Sequence, residues 1–176
     1  KRLFQELSST LQDWNELVLK GVQESVAVRA QTGLASAYLR IDHTNPGFSK
    51  DIMGLSTFGL VVDTLTNNRR YQIRRAKRRY ENDFGSISCE VAETLDSTLE
   101  MFRDMGALHT ARWNNVSMSG SFSNREWVAF HENVIKIGFP RCEVMLFKVA
   151  AGEHVLGYVY CFYWKSRMYM LQTGIA

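Results

Sequence analysis

The stretch from Glu143 to Ala176 constrains the fold most. Glu143 to Val149, His154 to Trp164 and Arg167 to Thr173 are three runs rich in β-branched and aromatic residues. Only Ala150-Ala151-Gly152-Glu153 and Lys165-Ser166 separate them. Connections this short leave no room for a crossover helix, so the runs must pair as antiparallel hairpins. Such a meander has a face to bury, and helices must cover it. The strip Tyr158, Tyr160, Phe162 and Trp164 marks that face on the middle strand.

Two helical segments precede the meander. Ser97-Thr98-Leu99-Glu100 has capping-box spacing and opens a helix to about Trp113. Its apolar stripe is Leu99, Phe102, Met105 or Gly106, and His109, with Trp113 one turn on. Ser123-Asn124-Arg125-Glu126 repeats the signal and opens a helix through Ile137, with Trp127, Phe130 and Val134 on one face. Gly138-Phe139-Pro140 stops it. Ile87 to Val91 alternates as a short strand. Further upstream, residues 3–19 have helical periodicity, residues 25–30 and 34–41 alternate as strands, and Asn45-Pro46-Gly47 is a loop. From Phe48 the pattern turns helical, with Ile52, Leu55 and Phe58 on one side.

Length sets one domain or a little more, with 176 residues and ordinary globular composition: 45% hydrophobic, 22% charged. No apolar run is long enough to span a membrane. The three cysteines (Cys89, Cys142, Cys161) have no metal spacing and read as reduced, half-buried residues of a cytosolic protein.

The charge is concentrated. Thr66 to Tyr80 holds seven cations and no anion, against a net charge of +3 for the whole chain, so the remainder is net acidic. The segment reads as a helix closed by Gly85. Its density marks a footprint for a polyanion, since like charges this close repel unless something neutralises them. Arg74, Arg75 and Arg78 are the candidate contacts.

The order of these elements, with several residue matches, resembles the GNAT acyltransferases, and within them the CelD-type acetyltransferase group linked to cellulose biosynthesis. The matches are the run Arg69 to Arg79, Leu108-His109 with Arg112-Trp113, Gly120-Ser121-Phe122, Phe130-His131, Gly152 with Val155-Leu156-Gly157-Tyr158, and Arg167 to Gly174. Tyr38-Leu39-Arg40 resembles a strand that precedes the basic helix in the same proteins. The resemblance implies an α+β fold, a mixed and mainly antiparallel sheet flanked by helices. It places residues 65–176 in a GNAT-like domain and residues 1–64 at the end of a preceding, GNAT-like region. The strand Arg167 to Thr173 is apolar enough to be central, yet the sequence stops just beyond it. That points to a C-terminally truncated domain, lacking the loop that would hold the pyrophosphate of the donor.

The implied activity is acyl transfer from acetyl-CoA or another acyl-CoA to an amine or hydroxyl, by direct attack in a ternary complex, with no metal. Acyl transfer needs a polarised thioester, a proton acceptor and a fixed geometry. By resemblance the backbone of Leu171, Gln172, Thr173 and Gly174 faces the thioester. By period two, Gln172 shares a face with Met170. His109 and His131 are candidate general bases near neutral pH, ahead of His43 and His154. Tyr169 is a candidate proton donor to the leaving thiolate. Arg112 and Trp113 are candidate walls of the acceptor pocket, Arg112 through an anionic group.

Two other readings compete with this one. A Fem-type transferase keeps the fold but takes its acyl group from aminoacyl-tRNA, which the basic helix would suit. A non-enzymatic nucleic-acid or polyanion binder would use the Arg-rich helix alone, although no zinc, helix-turn-helix or RNP signature accompanies it. The acyltransferase is preferred, with a small-molecule or sugar amine as acceptor.

Overall fold

The structure, a computed structural model, describes residues 49–114 and 120–176. The helix expected over 3–19, the strands at 25–30 and 34–41, the loop at 45–47, His43 and the Tyr38-Leu39-Arg40 match lie outside the described residues. The chain divides into two compact units, Lys1–Asp51 and Ile52–Ala176. The sheet and its helices belong to the second unit.

Four strands form one antiparallel sheet in the order β1 (Ile87–Val91), β2 (Val144–Ala151), β3 (His154–Trp164), β4 (Arg167–Ile175). The two C-terminal hairpins are therefore as short as the sequence requires. β4 is an edge in the described sheet, and Met168, Met170 and Leu171 are exposed on it, an uncovered apolar strand of the kind that the sequence reading of Arg167 to Thr173 expects.

Two helices cover one face. The first, α3 (Leu95–Asn114), packs on β2, β3 and β4, and α4 (Arg125–Gly138) lies beside it. Upstream of these come α1 (Phe58–Asp63) and α2 (Asn67–Phe84). Phe102 is the centre of the core. Its ring lies 5.1 Å from Phe122 and 5.6 Å from Tyr160, and Met105, Ile135 and Leu146 are equally buried around it. Leu99, Phe102, Met105, Gly106 and His109 are all buried, so the stripe read from helical spacing is the one the fold uses.

Both helix starts differ from the sequence signals in detail. The box at α3 closes on Thr94: the Ser97 amide donates to Thr94 Oγ1 and the Thr94 amide to Ser97 Oγ, each at 3.1 Å. Ser97 is thus the third helical residue, not the cap, because a serine there reaches back as a glutamate would. At α4 the cap is Asn124, not Ser123. Its Oδ1 accepts from the amides of Glu126 and Trp127, and two orphan donors are met by one oxygen. Phe130 is 62% exposed, so it leaves the face assigned to it; His131 and Ile135 point inward instead. The helix expected from Phe48 shrinks to α1, since residues 49–57 are irregular and Gly54 holds a positive φ of 77°.

The basic helix α2 stands largely clear of the body and buries no residue. It is held at its C-terminus. The β2–β3 turn at Gly152 lies against the Phe84 carbonyl so closely that a Cβ there would come within 2.1 Å of the oxygen. The Phe84 ring meets His154 edge-on at 4.6 Å. Gly85 ends the helix at φ 102°, the glycine stop the sequence signals.

Candidate functional site

The site begins with how β4 is set. Gly174 sits directly on α3: a Cβ there would lie 2.5 Å from the Met105 carbonyl oxygen. A Cβ at Gly157 on β3 would in turn lie 2.4 Å from the Gly174 carbonyl oxygen. Two glycines thus let a helix and two strands close at one point. The family resemblance marked Gly157 and Gly174 in separate stretches, but only the register brings them together.

The β3–β4 register slips between Tyr160 and Cys161. Tyr160 faces Gln172 and Cys161 faces Met170, so Leu171 has no cross-strand partner. A one-residue bulge reverses the side-chain alternation. Gln172 and Met170 therefore lie on opposite faces, which overturns the shared face expected from period two. Gln172 is half-buried on the helix side with Tyr160, whereas Met170 is exposed. Tyr169 faces Phe162 on the helix side and is exposed. Along the outer edge of β4, no described strand takes up the backbone donors and acceptors. A ligand bearing amides and a carbonyl can bond to such an edge as an added strand does.

The two histidines are core residues. His109 is 5% exposed, and its Nε2 accepts the Trp113 indole N–H at 2.9 Å. That bond places the ring proton on Nδ1 in the neutral tautomer. Nδ1 is buried and has no hydrogen-bond partner among the described residues. Gly120 lies over the ring, where a Cβ would fall 2.4 Å from Cε1. Burial lowers the His109 pKa, and the Arg112 charge lowers it further. His131 is likewise buried, with Nδ1 3.3 Å from the Tyr160 hydroxyl, and burial lowers its pKa. Burial also pushes the Tyr160 phenol well above its ordinary range. The two rings do not meet. Phe122 and Trp127 join them, with centroid separations of 5.2 Å from His109 to Phe122, 5.0 Å between the linking rings, and 4.1 Å from Trp127 to His131. Trp113 is half-buried and serves His109, while Arg112 is exposed beside it.

The basic helix is elsewhere. Its body contacts are to β1 and β2, and β4 is the opposite edge, roughly 14 Å across at ordinary strand spacing. Arg74, Arg75 and Arg78 are therefore not brought to Leu171–Gly174. Nor is the cluster free of anions. Arg74 pairs with Asp63 at 2.6 Å, Arg79 with Asp83 at 3.7 Å, and Lys77 with Glu81. These acids lie just outside Thr66 to Tyr80, so the count within that segment missed them. Arg70 bonds to the Asn67 side chain and the Asp63 carbonyl. Arg69, Arg75 and Arg78 have no carboxylate partner among the described residues.

Among the described residues there is no cluster of metal-ligand side chains, and no helix is long and apolar enough to cross a membrane. Cys89 and Cys142 are exposed and only Cys161 is buried, contrary to the half-buried reading. Tyr158, marked in the sequence by the aromatic strip and by the Val155-Leu156-Gly157-Tyr158 match but not as a polar contact, donates to Asp104 at 3.0 Å and ties β3 to α3.

No curated protein and no solved structure matches this chain. A family description does: residues 67–176 match the acetyltransferase (GNAT) domain. That span covers α2, the whole described sheet and both covering helices. The chain therefore belongs to the GNAT acetyltransferase family.

Proposed function

We propose that the protein transfers an acetyl or related acyl group from acyl-CoA to a primary amine, with β4 as the donor strand. The observation that carries this reading is the seating of β4, with Gly174 against the Met105 backbone and the register slip at Leu171. Together they fix a short stretch of backbone beside an open edge. Family membership supplies acyl-CoA as the class of donor. In this reading the acyltransferase domain starts near residue 65, and backbone groups of Leu171, Gln172, Thr173 and Gly174 hold the donor.

The reaction is a direct attack. The neutral amine nitrogen forms a bond to the thioester carbonyl carbon, and the carbon–sulfur bond breaks. The amine proton passes to a base or solvent, and the CoA thiolate takes a proton. Tyr169 is the side chain we assign to that last step, because its hydroxyl-bearing ring is exposed on β4 beside the donor backbone. His109 and His131 then shape the wall behind the acceptor. Their lowered pKa values keep both rings neutral at neutral pH, so they place hydrogen bonds rather than charge. Arg112, exposed at the end of that wall, and Trp113 border the acceptor side.

Thiol release from acetyl-CoA tests this, using the full-length protein and a panel of amino sugars, amino acids and polyamines. The expected result is amine-dependent release of free CoA, with kcat reduced in Tyr169→Phe. Release with no acceptor, or none with any amine, would refute the transfer reaction. Undiminished kcat in Tyr169→Phe would remove that residue from the mechanism.

A further inference from the structure

We infer that the outward face of α2, built from Tyr71, Arg75 and Arg78, binds the phosphate backbone of a single-stranded nucleic acid. The helix has more cations than its own acids can serve. Arg74, Lys77 and Arg79 are engaged by Asp63, Glu81 and Asp83, while Arg75 and Arg78 are exposed and have no carboxylate partner among the described residues. Helical spacing puts Tyr71, Arg75, Arg78 and Asn82 on one stripe, and Arg79 and Asp83 border the same shallow groove. The stripe runs roughly 16 Å along the axis, long enough to follow several phosphates. Guanidinium groups suit phosphate because their planar fork donates two parallel hydrogen bonds.

The partner class follows from what accompanies the charge. Tyr71 is 59% exposed at one end of the stripe, a free aromatic face for a base to stack on. A membrane surface would need apolar side chains on the same face. Ile73 and Phe84 point to the opposite side of the helix, by its 3.6-residue turn. The short helix α1 does join α2 through a three-residue turn and is tied to it by Asp63–Arg74, so it is the exposed ring of Tyr71, a stacking face for an unpaired base, that favours a single strand over a duplex. The face also lies at the far side of the sheet from β4, so a donor held at β4 does not account for it. The inference is independent of the acyl-transfer reading.

Fluorescence anisotropy of the full-length protein with a labelled, mixed-sequence single-stranded oligonucleotide tests it. The two cations of this face without a carboxylate partner among the described residues (Arg75, Arg78) give an expected slope of log K against log salt of about −1.4. Arg75→Gln with Arg78→Gln should bring the slope to about zero and weaken binding about 25-fold near 0.1 M salt. Arg75→Lys with Arg78→Lys should keep the slope, and Tyr71→Ala should weaken binding about fivefold or more with the slope unchanged. Circular dichroism of the variants should match the wild type, since these side chains are exposed. Absence of saturable binding would overturn the inference. So would binding that the double glutamine variant leaves intact, or preferential binding of polyglutamate or anionic vesicles that the oligonucleotide does not displace.

Discussion

Gly174→Ala is the sharpest perturbation of the β4 site. The added methyl would sit 2.5 Å from the Met105 carbonyl oxygen, 2.9 Å from its Cγ and 3.1 Å from its Cα, where ordinary contact begins near 3.4 Å. Two of these three atoms are helix backbone, so rotating a side chain cannot relieve the overlap. Either α3 or β4 must move by about 1 Å, a scale at which overpacking costs about 1–3 kcal/mol. For a unit of this size that lowers Tm by very roughly 4–12 °C. Gly106→Ala is the matched comparison, because its methyl would meet the Phe122 ring instead, at 2.5 Å. Thermal melts of both variants, with thiol-release assays run well below either Tm, give the readout. Gly174→Ala should lose activity in the fully folded protein, because the displaced strand is the donor strand. Gly106→Ala should lose stability with less effect on turnover. A Gly174→Ala protein that melts within 2 °C of wild type (about 0.5 kcal/mol) and turns over normally would refute the reasoning.

Four further outcomes rest on named contacts. Trp113→Phe removes the indole donor to His109 Nε2 and leaves that buried acceptor without it, so urea melts should show a loss of about 1–3 kcal/mol. His109 and His131 have lowered pKa values in the folded state, so the unfolded chain binds their protons more readily. Their contribution is full above the ordinary histidine value of about 6.5 and is lost as pH falls through the lowered values. Urea midpoints should therefore drop on acidification below pH ~6.5, and less so in His131→Gln, if that variant folds. The Tyr158 phenol, buried and bonded to Asp104, is pushed up to about 12, so the ultraviolet titration of Tyr158→Phe should lose ionisation at strongly alkaline pH, above the ordinary phenol value of about 10. Asn124→Ala strips the cap from two amides of α4 and should cost about 1 kcal/mol in the same urea melts.

The meander was the most legible part of the fold, because connections of two to four residues between β-rich runs allow one pairing. The α3 stripe was equally legible, since helical periodicity is strict where one face is buried, as at Phe102 and Met105. Capping was legible in kind but not in position. Several hydroxyl and amide residues stand together at each start, and Thr94 and Asn124 won over Ser97 and Ser123 through backbone geometry that sequence spacing does not carry. The Leu171 bulge was invisible, because a slip depends on the partner strand and reverses the alternation on which face assignment rests. The seven-cation segment looked unneutralised because helix pairing reaches three, four or more residues outward, to Asp63, Glu81 and Asp83. His109 and His131 stood out as titratable residues, but a sequence does not show that both rings are enclosed by aromatic neighbours.

Binding of acetyl-CoA to the full-length protein, measured by isothermal titration calorimetry, tests the central claim most directly. The expected result is saturable one-to-one binding that Arg75→Gln with Arg78→Gln leaves unchanged, because α2 and β4 lie on opposite sides of the sheet. No binding by a folded protein would contradict the assignment of β4 as an acyl-CoA strand. Binding abolished by the α2 double variant would contradict the separation of the two sites.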